Sequence, residues 1–471
     1  MGKDEFKEAL VTFAETIGMI KEQEKANAVI RTNLTEKGDD NVRFTAFIRA
    51  GEEPSGRYSD LSLVFFPGKE DKKWLMAIVT GTNGFNLDHD LASTPGLRRN
   101  FLRLLPQNNS FYKPHFEDLE TPLDMSQFEE QLGVNQNHFD KYKKFLAIGC
   151  IIDVENLTQE DWANSRNAAL VVKAWIAQYA RIRGWATNET QFKLRNKALD
   201  AYKNAFPSTL SPEQDKANVK ALLGKKKFVV LQGAPGTGKT FLAEKIAEEG
   251  NYKTFFTQFH AETSYSDFVY GILPQLDEGQ VGFKEHEGIL LEAIQYAKDN
   301  PNEKILLIID EINRANLANV LGPVFYFFEA DRKESRPITI GSKEYDGVPG
   351  NFYVIATMNT ADRSLAVVDF ALRRRFAWYT IQPHFFEGCE EAKNLFNEIA
   401  TIFDTYADDS ELNLQPGGAY FNVATKEALN EKIEYELMPL IKEYLVQGMM
   451  TSASEEFSRL FYSKIKKHLF I

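Results

Sequence analysis

The chain has 471 residues, 43% apolar and 26% charged, and its 36 phenylalanines and 18 tyrosines are too many to stay solvated, which excludes a mostly disordered chain. That length allows two or three domains with sizeable cores. The 55 basic and 67 acidic residues leave a formal net charge of −12, which excludes a globally basic nucleic-acid-coating protein but not a local basic groove.

Only Cys150 and Cys389 occur, far apart, so neither a disulfide scaffold nor a Cys-rich metal site is expected, and a cytoplasmic home fits best. The opening segment Met1–Phe13 lacks the apolar core of a signal peptide, and Phe6 stands where a myristoylation signal needs Ser or Thr. No run of 18 uncharged apolar residues occurs, so no membrane partner is expected. Charge is uneven. Residues 1–210 hold 27 basic and 29 acidic residues, and residues 211–471 hold 28 and 38. This shift, with the Pro- and Ser-containing run Phe206–Pro212, predicts a boundary near 205–218.

In chain order, residues 3–32 read as helical, and a polar turn at Lys37–Asp40 follows. Val42–Ile48, Leu61–Phe66 and Trp74–Thr80 read as strands, the last two parted by the turn Pro67–Asp71. Residues 91–113 hold Arg98, Arg99, Arg103 and Lys113 with no acid among them, interleaved with Phe101, Phe111 and Tyr112. Such a set could hold a nucleic-acid backbone and stack a base, or could be the solvated face of a half-buried helix. Residues 162–205 read as one or two helices broken at Gly184-Trp185; Trp162, Trp175 and Trp185 fit packed core better than an aromatic cage.

The second half carries the clearer chemistry. A strand ending near Gln232 runs into Gly233-Ala234-Pro235-Gly236-Thr237-Gly238-Lys239-Thr240 and then a helix. Glycines let backbone N–H groups curl around phosphate, the helix N-terminus adds a favourable dipole, Lys239 reaches the β and γ phosphates, and Thr240 can hold Mg²⁺. The apolar run Ile305–Ile309 ends in Asp310-Glu311, which puts two carboxylates at a sheet edge. Asp310 is expected to orient Mg²⁺ and Glu311 to polarise the attacking water. Phe352–Thr357 leads to Asn359, an amide suited to the lytic water or the γ-phosphate. Arg373-Arg374-Arg375 precede a last strand, Phe376–Ile381, and three adjacent arginines there imply both ion pairing and a reach to phosphate across a subunit boundary.

These residues together resemble the McrB branch of the AAA+ superfamily, the nucleotidase subunits of McrBC modified-DNA restriction systems. The likeness covers roughly 220–460 and rests on Leu231–Thr240, Gln258–His260 with Tyr265–Phe268, Ile308–Leu317 (IIDEINRANL), Met358–Ser364 (MNTADRS) and Ala371–Phe376 (ALRRRF). It implies an α/β P-loop core with a parallel sheet and a helical lid, preceded by a smaller α+β domain. By that likeness Gly233–Thr240 is Walker A, Asp310 and Glu311 close Walker B, Asn359 is sensor 1, and Arg374 and Arg375 are finger candidates in a neighbouring subunit's site. Asp362 and Arg363 resemble the signature that couples hydrolysis to the nuclease partner, and Asp331–Asn351 resembles the β-hairpin inserted before sensor 1. The lid departs from the family at Gly417–Phe421, where Gly418 stands in place of a histidine.

The expected layout is a reader at 1–160, a helical linker at 161–218, the core at 219–384 and the lid at 385–471. The resemblance further implies a ring, in all a hexamer, a McrC-like endonuclease partner, and double-stranded DNA as the target. Tyr58, Trp74, Phe101 and Tyr112 are the stacking candidates. No Asn-Lys-x-Asp guanine signature is present, and the McrB type lacks one, so the base stays open between GTP and ATP, with the likeness favouring GTP. The competing reading is a MoxR-like ATPase that remodels a protein complex, its first domain binding protein.

Overall fold

Apolar side chains alternate between two cores along the central strands of the first sheet in the computed structural model, which describes residues 1–19, 28–33, 42–49, 57–106, 108–185, 188–206, 211–277, 280–329, 337–361 and 370–470. Two units result, residues 1–208 with 404–408, and residues 209–403 with 409–471. In the first, strands β1 (Ala28–Asn33), β2 (Phe44–Arg49), β3 (Leu61–Pro67), β4 (Lys73–Thr80), β5 (Ser110–Tyr112) and β6 (Leu146–Asp153) form one antiparallel sheet in the order β1-β2-β3-β4-β6-β5. Leu61, Leu63 and Phe65 of β3 share one face with Trp74, Met76 and Ile78 of β4, while Val64, Phe66, Leu75, Ala77 and Val79 share the other. That is the period of two expected of a strand covered on both sides.

Helix Lys3–Thr16 lays Phe6, Leu10 and Ala14 on the first of these faces, a helical i, i+4, i+8 stripe. The helix expected to run to residue 32 ends at Thr16, and 28–33 is strand instead, paired with β2. Val29, Ile30 and Thr32 are β-branched and stiff at χ1, so a ladder partner outweighs their helical neighbourhood. Helices Ala168–Ile182 and Glu189–Ala205, assigned by sequence to a linker, bury Val172, Trp175, Ile176, Tyr179, Leu199 and Tyr202 in the core of this unit. Gly184, at φ 65°, makes the break between them, and the three tryptophans lie in or against that core.

The second unit holds β7 (Phe228–Gly233), β8 (Lys253–Gln258), the hairpin β9 (Tyr270–Asp277) and β10 (Gln280–Glu287), β11 (Ile305–Asp310), the hairpin β12 (Ile338–Ile340) and β13 (Lys343–Tyr345), β14 (Phe352–Asn359) and β15 (Ala377–Thr380). Five of these form a parallel sheet in the order β15-β7-β14-β11-β8. Phe228 and Val230, with Ile305, Leu307 and Ile309, face one core; Val229 and Leu231, with Leu306 and Ile308, face the other. Burial on both faces is why these strands read as unbroken apolar runs. Helices Pro212–Lys226 and Lys239–Glu249 cover one face, and Ile289–Asp299 covers the other. The hairpin β12–β13 falls within the stretch expected to hold one; residues 331–336 of that stretch lie outside the described residues. After β15 the chain is mainly helical, through Glu390–Tyr406, Lys426–Lys432, Met438–Val446 and Ser454–Ile465. The architecture is thus an α/β core with a parallel sheet and flanking helices, preceded by a smaller antiparallel α+β unit. Among the described residues no helix is long and apolar enough to cross a membrane.

One buried ion pair braces the first unit. Arg183 grips Asp88 with two bonds of 2.7 and 2.6 Å, both side chains 6% exposed, and Asp88 also accepts the Leu61 N–H at 2.9 Å. The Arg183 guanidinium is held above its ordinary pKa chiefly by Tyr179 and Asp88, against the cost of burial. Asp88→Ala strands that cation, and the first unit is expected to lose about 3–5 kcal/mol in urea-induced unfolding.

Candidate nucleotide site

The parallel order brings the C-terminal ends of β7, β14, β11 and β8 to one edge, where open α/β sheets collect ligands. β7 ends at Gly233, and the loop 234–238 turns into helix Lys239–Glu249. Gly236 and Gly238 sit at φ 76° and 81°, a region closed to most residues with a Cβ, so the loop can curl only with glycine there.

Lys239 is the first residue of the helix and is 6% exposed. Its ammonium donates to the carbonyls of Gly233 (3.0 Å) and Ala234 (2.9 Å) and to Oδ1 of Asn359 (2.7 Å). Thr240 Oγ1 donates to Asp310 Oδ1 at 2.7 Å. The same carboxylate takes the Thr357 hydroxyl at 2.6 Å and the Gln258 amide at 3.1 Å. Three strands, β8, β11 and β14, and the first turn of helix Lys239–Glu249 therefore meet on one carboxylate.

Glu311 follows in the left-handed region (φ 55°, ψ 48°), a strained backbone of the kind that gathers at functional sites. Its N–H donates to Thr357 Oγ1 at 3.1 Å, and its Oε1 accepts from the Asn359 amide. Arg314 Nε lies 3.5 Å from its other oxygen. Asn313, 4% exposed, donates to the Asn359 carbonyl at 3.3 Å. Asn359 thus bridges Lys239 and Glu311 with the two ends of one amide.

The comparisons with known proteins agree with this geometry. Residues 228–376 match the family AAA domain (dynein-related subfamily). The chain is 36% identical over 273 residues to the type IV methyl-directed restriction enzyme EcoKMcrB subunit of Escherichia coli (strain K12), covering 51% of this chain and 59% of that one. Residues 228–376 thus match an AAA domain, and the chain is similar to a McrB-type subunit. It is also 26% identical over 189 residues to the type II restriction enzyme BsuMI component YdiS of Bacillus subtilis (strain 168), covering 32% of this chain and 55% of that one. The chain so spans less than two thirds of the length of either curated relative. A solved RuvB point mutant from Thermotoga maritima is 18% identical, with 49% of this chain and 76% of that chain covered and a TM-score of 0.26.

Within the AAA+ domain the three arginines differ. The Arg373 guanidinium lies 5.0 Å from the centre of the Trp378 ring. The Arg375 side chain is 10% exposed, pairs with Glu329 at 2.5 Å and lies over the Phe325 ring. Arg374, 3.5 Å from Glu329, keeps its side chain 69% exposed. Asp362 and Arg363 lie outside the described residues.

In the first unit, Trp74 is fully buried, with its indole N–H donating to the Asp71 carbonyl, and Phe101 is fully buried too. Tyr58 is buried, which pushes its phenol pKa up. Lys113 is 3% exposed, its ammonium on the carbonyls of Asp118 and Lys144, and burial lowers its pKa. Arg99 is buried, and Arg98 is half-buried with a bond to the Pro114 carbonyl. Arg103 is exposed and pairs with Asp404 of the same unit, and Tyr112 is 52% exposed. Tyr112 is the one stacking candidate whose ring is open to solvent.

Gln258, Thr357 and Asn313 were given no role from sequence. The usable signal was position, since each is a polar residue near or just past the C-terminal end of a strand. Lys239→Ala removes the buried ammonium, and equilibrium titration with fluorescent GTP and ATP is expected to show binding weakened by about a hundredfold, since charge-assisted bonds contribute roughly 1.5–3 kcal/mol.

Proposed function

We propose that this chain is the nucleoside-triphosphatase subunit of a restriction complex, hydrolysing GTP in preference to ATP, working as a hexameric ring, reading double-stranded DNA through its first unit and driving a McrC-like endonuclease. The observation that carries the reading is the chain of bonds from Lys239 through Asn359 to Glu311, set beside the Thr240–Asp310 pair. The relatives' own descriptions, both restriction components, supply the system. The preference for GTP, the ring and the nuclease partner come from the McrB likeness.

The chemistry follows from the residues. Lys239 offsets charge on the β and γ phosphates. The Thr240 hydroxyl and Asp310 carboxylate, 2.7 Å apart, are hard oxygen donors that fit Mg²⁺, which takes one or two protein oxygens and fills its shell with water and phosphate. When bound, Mg²⁺ supplies charge neutralisation between the phosphates. Thr357 and Gln258 orient Asp310. Glu311 polarises the attacking water, and Asn359 holds the Glu311 carboxylate in line with the phosphate end of the site. Arg374, its side chain 69% exposed, acts on a neighbouring subunit's phosphate, while Arg375 anchors the helix that carries it. Asp362 and Arg363 pass the hydrolytic state to the nuclease. On DNA, Arg103 and Tyr112 make direct contact, with Arg98 beside them, and the buried Tyr58, Trp74, Arg99 and Lys113 shape the surface from beneath.

Glu311→Gln keeps the site's shape and removes its base. Turnover is expected to fall by about 10²–10³-fold with nucleotide affinity retained, in line with typical general-base contributions. Wild-type turnover in that variant would sink the mechanism. Arg374→Ala is expected to be inactive alone and to regain turnover when mixed with Glu311→Gln, because each variant supplies what the other lacks; no recovery would place the finger elsewhere. For the whole function, the full chain with a McrC-like subunit and GTP should cleave methylated duplex and spare the unmethylated one. Cleavage-free activity on a protein complex, without DNA affinity, would favour the remodelling alternative.

A further inference from the structure

The lid begins beside the phosphate loop, and one buried carboxylate ties its root to the core. Asp215 lies in the first turn of helix Pro212–Lys226 and is 3% exposed. Its Oδ1 accepts the Tyr379 hydroxyl at 2.7 Å, and its Oδ2 meets His384 Nε2 at 2.9 Å. Tyr379 belongs to β15, the edge strand beside β7, and His384 follows it on the segment leading to the lid. The His384 side chain is 13% exposed, so this is a largely desolvated charge-assisted pair.

What His384 holds bears directly on the nucleotide loop. The Ile381 N–H donates to the Gln232 carbonyl at 2.8 Å, so the segment starts alongside the end of β7. A Cβ at Gly418 would lie 2.2 Å from the His384 carbonyl oxygen, so the lid turn rests on this backbone and only glycine fits. That same turn is bonded to the loop, Gly417 N–H to the Pro235 carbonyl (2.9 Å) and Ala419 N–H to the Gly236 carbonyl (3.1 Å). The Phe386 ring, two residues past His384, packs against Gly238. A continuous path of contacts therefore runs from Asp215 through His384 and the 417–419 turn to the phosphate loop.

We propose that Asp215 and His384 form a latch that positions the lid against the phosphate loop, so that they are positioning residues for nucleotide affinity and take no part in the hydrolytic step. This rests on the nucleotide-site reading above. A latch of this kind acts on the fit of the bound nucleotide and leaves Glu311 and Asn359 where they are, so its loss separates KM from kcat.

The test uses the full-length chain. His384→Ala and Asp215→Ala are each expected to raise KM for GTP and ATP about tenfold with kcat within about threefold of wild type, the loss expected for one charge-assisted bond. The double variant should be no worse than either single one, because the two act as a unit. His384→Gln and Asp215→Asn, which keep a polar link, should recover most of the affinity. Hydrogen exchange, read without nucleotide, should speed up at the amides of Gly417 and Ala419 in both alanine variants. Unchanged exchange there, or a fall in kcat at unchanged KM, would overturn the latch. So would failure of His384→Ala to fold cooperatively, since the pair would then be a general prop. A wild-type chain that binds neither nucleotide would overturn the nucleotide reading instead, and the exchange at Gly417 and Ala419 would still decide the latch.

Discussion

The buried ammonium of Lys239 is the constraint that the second unit is arranged around. A charge that is 6% exposed must find acceptors within its own fold. It finds the carbonyls of Gly233 and Ala234, which requires the loop to curl back over its own strand end, and the amide oxygen of Asn359, which brings the end of β14 alongside. The other end of that amide has one use left, and Glu311 takes it. The Glu311 carboxylate is thereby placed by the same side chain that helps satisfy the lysine. A shift of Asn359 moves both, which is why a neutral amide with a donor and an acceptor suits the position and a carboxylate would not.

Asp310 plays the matching part on the other side of the site. Its two oxygens receive Thr240 from a helix and Thr357 and Gln258 from two different strands. Parallel strands make that convergence possible, because every strand delivers its last residues to one edge. The arginines solve the opposite problem. Arg375 is half-buried beside Glu329 and over Phe325, and Arg373 leans on Trp378, so each has a partner within its own unit. Arg374, between them, is left largely in water. A long cation held out from a rigid anchor is suited to an anion supplied by another molecule.

The parts legible in the sequence were those where local pattern and chemistry coincide. The runs Ile305–Ile309 and Phe228–Leu231 are apolar throughout because both faces are covered, and the glycine loop announces its own backbone. The convergence of Gln258 and Thr357 on Asp310 was not legible, since it depends on strand order and nothing local encodes it. The strand at 28–33 was hidden because its partner, β2, lies outside its own window and contributes no signal to it. The basic-aromatic set at 91–113 shows a third limit. Residue type says that Lys113 could meet a phosphate, but its ammonium is already satisfied by the carbonyls of Asp118 and Lys144. Likewise Trp74 reads as a stacking platform until its place at the centre of a sheet leaves no open ring face. Type and spacing constrain what a side chain can do, and burial decides which of those things remain open.

The departure at Gly418 gains a physical reason from the same principle. A histidine there would set its Cβ against the His384 carbonyl, 2.2 Å away, so this lid can accept no side chain at that point. The imidazole of His384 enters from the segment that follows β15 and reaches Asp215 on helix Pro212–Lys226. Contact between lid and loop is then made by backbone, through Gly417 and Ala419, and its orientation is set by a side-chain pair one step removed from the nucleotide. Backbone contacts of this sort carry no group that reads a base; they fix the turn against the loop and leave any base preference to side chains elsewhere.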